Sequence, residues 1–143
     1  PGDVNALATA ALYHDAAEIL TGDLPTPIKY HNAEIMSAYH AVEDLAVQKL
    51  LGMLPPELRG TYADVLAEDK DGDIYPLVKA ADKLSAYIKC IEERKAGNNE
   101  FLSAEAQTRA ALEASSLPEV QYFLEHFIPA FERDLDELGA IGQ

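Results

Sequence analysis

A chain of 143 residues is long enough for one domain with a sizeable core and short for two, since domains usually take roughly 100–200 residues. Its 25 acidic and 11 basic residues give a formal net charge of −14, which repels a nucleic-acid backbone or an anionic membrane surface and excludes polymeric DNA and RNA as partners. Hydrophobic residues at 48% and charged residues at 25% are ordinary for a folded globule, and no apolar run approaches the roughly 20 residues that span a bilayer.

Strand signals are nearly absent, and helical periodicity runs along most of the chain. Asp3 is a candidate N-cap, and Leu7, Ala11, Leu12 and Ile19 recur at helical spacing as far as Gly22, which predicts a first helix from Val4 to about Leu20. Two prolines make Gly22-Asp23-Leu24-Pro25-Thr26-Pro27 a stiff loop. A second helix is expected from about Asn32 to Leu51, with Ile35, Ala38, Tyr39, Val42, Leu45, Ala46 and Leu50 along its apolar stripe, and a third from Pro55-Pro56-Glu57 to about Ala67. After the polar stretch Glu68 to Asp73, a fourth is predicted from Pro76 to Lys95, stopping before Gly97. Two more, roughly Ser103 to Ser115 and Pro118 to Leu138, complete an all-α bundle of about six helices in a single domain over residues 1–143.

The segment Tyr13-His14-Asp15-Ala16-Ala17-Glu18 carries the densest chemistry. In a helix, residues four apart share a face, so His14 and Glu18 point the same way and Asp15 lies one step round. Imidazole nitrogen with carboxylate oxygen suits a divalent transition metal, but spacing alone favours a plain surface or capping cluster. Asp82 borders the apolar stripe of the fourth helix; on spacing alone it reads as an ordinary i,i+3 partner of Lys79.

Taken together, Tyr13-His14-Asp15-Ala16-Ala17-Glu18, Leu20-Thr21-Gly22-Asp23-Leu24-Pro25-Thr26-Pro27-Ile28-Lys29-Tyr30 and Val78-Lys79-Ala80-Ala81-Asp82 resemble the HD-domain metal-dependent phosphohydrolases, and among them the bacterial 5′-deoxynucleotidases. The similarity continues through Gly97-Asn98-Asn99-Glu100-Phe101-Leu102 and so covers most of the chain. It implies that His14, Asp15 and Asp82 hold a divalent metal ion such as cobalt, manganese, zinc or magnesium, with one further histidine from a preceding helix. No histidine stands before His14 here, so that ligand, the family's phosphate-orienting arginine and a neighbouring tryptophan are expected on an N-terminal helical segment upstream of Pro1. The implied activity is hydrolysis of deoxyribonucleoside 5′-monophosphates to deoxyribonucleosides and phosphate, with Glu18 orienting or deprotonating the attacking water. Asp15 and Asp82 are also expected at the substrate, Asp23 and Thr26 to hydrogen-bond its sugar and leaving oxygen, and Leu24 and Pro25 to pack against the nucleoside.

Two rival readings remain open at this point: an HD hydrolase for another small phosphorylated metabolite, and a non-catalytic helical interaction module. Other patterns fail when tested. Asp69-Lys70-Asp71-Gly72-Asp73 has its glycine in the wrong place for a calcium loop, no glutamate stands three residues before any histidine, and there is no P-loop or dinucleotide fingerprint. Lys29 reads as a solvated lysine, and His31, His40 and His126 as surface or packed residues, one of which could in principle replace the missing histidine ligand. Cys90 has no CxxC partner, is expected to be a packed thiol and fits a reducing cytoplasm. Val120, Phe123, Leu124, Phe127, Phe131 and Leu135 are expected to be core, with excess apolar area available to a homodimer interface.

Overall fold

The computed structural model describes residues 3–25, 28, 31–67, 72–134 and 136–137, and its regular elements there are all helical. The chain divides into two compact units, Pro1–Val78 and Lys79–Gln143, with the boundary inside a long helix.

In the first unit, α1 (Val4–Tyr13) opens on Asp3, whose carboxylate accepts from the backbone N–H groups of Asn5 at 2.9 Å and Ala6 at 3.3 Å. A short α2 (Glu18–Thr21) follows, then α3 (Ala33–Met53), capped by the Asn32 side chain on the Ile35 N–H at 2.8 Å. α4 (Pro56–Leu66) has Pro56 in its first turn, where a missing N–H costs nothing. Arg59 closes the corner between α3 and α4 by donating to the carbonyls of Leu54 at 2.9 Å and Gly52 at 3.2 Å. α1 packs on α4, α2 on α3 and α3 on α4.

The predicted first helix differs from the observed one. It stops at Tyr13, and residues 14–17 form a turn held by three-residue hydrogen bonds: Ala16 N–H to Tyr13 O at 3.0 Å, Glu18 N–H to Asp15 O at 2.9 Å and Leu20 N–H to Ala17 O at 3.0 Å. Its expected apolar stripe holds in part, with Leu7 and Ala11 half-buried and Leu12 and Ile19 exposed. Ala6, Thr9, Ala10 and Tyr13, spaced along one face of α1, line a cavity inside this unit, while Leu12, off that face, is 77% exposed and Ile19, past the turn on α2, is 75% exposed. On α3 the stripe holds at Ala46, which is buried, and at the half-buried Ile35, Tyr39 and Leu50; Ala38, Val42 and Leu45 are exposed.

α5 (Tyr75–Lys95) crosses into the second unit, which continues with α6 (Leu102–Glu113), α7 (Pro118–His126) and α8 (Ile128–Glu132). α5 ends as predicted: Gly97 takes φ +88°, its N–H bonds to Arg94 O at 3.0 Å and the Asn98 N–H to Glu93 O at 2.9 Å, a Schellman motif that needs a residue comfortable at positive φ. The core of this unit joins Leu84, Tyr87 and Ile91 of α5 to Leu112, Val120 and Ile128, with Phe123, Leu124 and Phe131 packed against them. Arg94 clasps its rim, donating to Glu105 and Glu132 at 2.9 and 2.8 Å; these carboxylates raise an already high guanidinium pKa further.

The last predicted helix is divided. Pro129 has no N–H, and its ring meets the carbonyl four residues back, so the helix breaks at Phe127 and restarts at Ile128. The break leaves Phe127 outside the core on which the predicted stripe had placed it, stacked on Phe123 at a centroid distance of 5.0 Å. Leu135 and the final turn to Leu138 lie outside the described residues. No helix among the described residues is long and apolar enough to cross a membrane.

Candidate metal centre and the comparison with known proteins

His14 is the C-cap of α1, so it sits where unpaired carbonyls and the helix dipole favour a positive charge. Its Nδ1 lies 2.8 Å from the Ala11 carbonyl oxygen. A carbonyl only accepts, so Nδ1 carries the hydrogen and donates it. Nε2, with the lone pair in the neutral ring, then faces Asp15 Oδ2 at 3.0 Å. Two acceptor atoms at that distance repel unless a cation lies between them, whether a proton on the ring or a metal ion. The His14 side chain is 17% exposed and that of Asp15 54%, so the pair opens to solvent on the carboxylate side. A backbone carbonyl fixing the far nitrogen of an imidazole is the support that metal-ligating histidines ordinarily have. The donor set fits a divalent cation.

Glu18 stands half-buried at the start of α2. The tight turn before it alters the shared face expected with His14: three-residue bonding sets residues four apart about 120° round the axis, against about 40° in an α-helix. Of the loop residues, Asp23 and Pro25 are exposed and Leu24 is half-buried, while Thr26 and Lys29 lie outside the described residues. Asp82 is an exposed residue of α5 in the second unit. Val78, one turn earlier on the same face of α5, is buried.

Beside His14 the first unit holds a cavity of about 690 Å³, walled by α1, by the end of α4 and by the start of α5. Tyr13, next to His14 in the motif, meets Tyr62 of α4 edge-to-face at 6.0 Å between ring centroids. A hydrogen bond with Tyr62 raises its phenol pKa. Tyr39, placed on the apolar stripe of its helix by periodicity, also turns its hydroxyl to the Gly22 carbonyl, donating at 3.1 Å. Both pairs join residues far apart in sequence, and no local spacing signals them.

The protein-family model described as "5'-deoxynucleotidase YfbR-like" matches residues 1–131. The chain belongs to the YfbR-like 5′-deoxynucleotidase family. It is 52% identical over 141 residues to the 5′-deoxynucleotidase YfbR of Shigella flexneri serotype 5b (strain 8401), covering 96% of this chain and 71% of that protein. The 5′-deoxynucleotidase YfbR of Escherichia coli (strain K12 / DH10B) is 51% identical over the same span. Among solved structures, an HD-domain phosphohydrolase from Listeria innocua superposes with a TM-score of 0.75 at 26% identity, over 92% of this chain and 64% of that one. The all-α HD fold expected from the sequence is thus the fold of this YfbR-like chain, although its six predicted helical segments appear as shorter pieces wherever the backbone tightens or proline intervenes.

Proposed function

We propose that this protein is a metal-dependent 5′-deoxynucleotidase, hydrolysing deoxyribonucleoside 5′-monophosphates to the deoxyribonucleoside and inorganic phosphate. The observation that carries the reading is 52% identity, over nearly the whole chain, to a protein of that activity. The geometry of His14 and Asp15 supports it, because Nε2 and Oδ2 at 3.0 Å form a donor pair suited to a divalent cation. Asp82, on the face of α5 that carries Val78, is the third proposed ligand, and the two units are proposed to act as one HD-type domain. A divalent ion held there would offset the phosphate charge and acidify a water molecule.

The rest of the work falls to side chains of the chain. Glu18 orients the water and accepts its proton as the new P–O bond forms. The bond to the 5′ oxygen breaks, that oxygen takes up a proton from solvent, and Glu18 returns to solvent the proton it accepted. Asp23 accepts from a sugar hydroxyl, Thr26 hydrogen-bonds the leaving oxygen, and Leu24 and Pro25 pack against the nucleoside. A loop stiffened by proline loses less entropy on closing over its ligand. The protein is further proposed to be a cytoplasmic homodimer: Cys90 is a buried, unpaired thiol, and Leu12, Ile19 and Leu45 offer exposed apolar surface.

Phosphate release from deoxyadenosine 5′-monophosphate, with manganese, cobalt, zinc or magnesium supplied in turn, tests the function. Turnover abolished by chelation and by His14→Ala is the expected result. No release with any of these cations would reject the enzyme, and faster hydrolysis of sugar phosphates than of the nucleotide would move the substrate to another phosphorylated metabolite.

A further inference from the structure

The loop that begins at Gly22 leaves α2 through an unusual backbone step. Gly22 has φ +70° and ψ 162°, a region open essentially to glycine alone, and an added Cβ there would meet no atom within 4 Å. The requirement for glycine is therefore conformational. This step turns the chain sharply between Glu18, at the head of α2, and Asp23.

Three hydrogen bonds converge on Gly22. Its N–H donates to the Glu18 carbonyl at 2.9 Å. Its own carbonyl accepts from the Tyr39 hydroxyl at 3.1 Å and lies 3.0 Å from the Thr21 hydroxyl. Thr21 has one hydrogen to give and a second acceptor within reach, the Ala17 carbonyl at 3.4 Å. Tyr39 reaches Gly22 from another element, α3, against which α2 packs. The Gly22 carbonyl and the Asp23 N–H belong to one rigid peptide plane, so a donor that fixes the carbonyl also fixes the direction in which Asp23 leaves.

We infer that Tyr39 is a positioning residue for substrate: its hydroxyl holds the Gly22–Asp23 peptide plane, and through it aims the Asp23 carboxylate at the sugar of the bound nucleotide. The inference rests on the reading of the protein as a nucleotidase whose Asp23 loop meets the sugar. It adds a residue outside the motif and assigns it to recognition of the nucleoside, separate from the chemistry at phosphorus. In this role Tyr39 acts through the Gly22 carbonyl.

The test compares two substrates in the same variant. Tyr39→Phe keeps the ring and removes the hydroxyl. For deoxyadenosine 5′-monophosphate, KM is expected to rise about fivefold, the worth of one neutral hydrogen bond, with kcat little changed and the thermal midpoint lowered by at most roughly 4 °C. For p-nitrophenyl phosphate, which has no sugar, both constants are expected to stay at the wild-type values. In an Asp23→Ala background the same change is expected to add nothing to KM. An unchanged KM for the nucleotide, an equal loss on both substrates, or a full additional loss without Asp23 each overturns the inference. Failure of the wild-type protein to hydrolyse the nucleotide rejects the functional reading and this inference together; normal wild-type turnover with an insensitive Tyr39→Phe rejects the inference alone.

Discussion

Replacing Ile91 with alanine should empty the centre of the second unit's core. Ile91 is 0% exposed and lies in a cluster with Tyr87, Leu112 and Val120, each 1% exposed. The substitution removes three carbons, a transfer loss of about 2.4 kcal/mol. A cavity contribution adds to this, because neighbours that are themselves buried on three helices have little freedom to collapse into the space. A total cost of about 3–4 kcal/mol follows, within the usual range for such truncations. At about 4 °C per kcal/mol for a chain of this size, the thermal midpoint should fall by roughly 12–16 °C. Ile91→Val, which removes a single carbon, should cost about 1 kcal/mol and shift the midpoint by roughly 4 °C. Thermal unfolding followed by circular dichroism reads both shifts. The ratio between the variants is the sharper check: if Ile91→Ala unfolds no earlier than Ile91→Val, the site can collapse and the core is not packed as described.

At the site, Glu18→Gln should keep nucleotide affinity in equilibrium dialysis while kcat falls about 10²–10⁴-fold, the usual worth of a positioned general base; an unchanged kcat would remove Glu18 from the mechanism. Burial, aided by the nearby charges of Glu105 and Glu93, raises the Cys90 thiol above its ordinary value of 9.0. Native protein at pH 8 should therefore react slowly with a thiol-specific disulfide reagent and rapidly once denaturant is added, and fast native reaction would contradict the burial. The sign for stability follows from the raised pKa: the contribution of the buried neutral thiol is intact below pH 9.0 and declines as the pH climbs above it, because the unfolded chain releases the proton first.

Helix caps and prolines made much of the fold legible. Asn32 caps α3 as a side-chain acceptor should, Pro56 and Pro118 stand in first turns, and Gly97 ends α5 in the left-handed region. Reading failed where a longer-range or subtler term competed with periodicity. Three-residue bonding after Tyr13 cut the first helix, and Pro129 cut the last one although its apolar spacing ran on undisturbed. His14 beside Asp15 was visible because the two are adjacent in sequence. Tyr39 on Gly22 and Tyr13 on Tyr62 were not, because each bond depends on which helices pack together, and spacing along the chain carries no record of that.

On the proposed function, the break after Tyr13 has a chemical consequence. Had α1 continued, His14 would sit in mid-helix, its neighbouring carbonyls occupied by backbone donors. Ending the helix there puts the ring at a C-terminus, with the partial negative charge of the last carbonyls behind it and a carboxylate in front, so the local field draws a cation to Nε2. The same field repels a phosphate dianion. The described lining of the adjoining cavity holds Asp3, Asp64 and Asp73 and neither lysine nor arginine, and the chain as a whole carries −14. On the proposed function, a cation held at the His14–Asp15 pair would offset this negative charge for a phosphomonoester. Phosphate affinity and cation affinity would then be two sides of one coupling, each strengthening the other by the same factor.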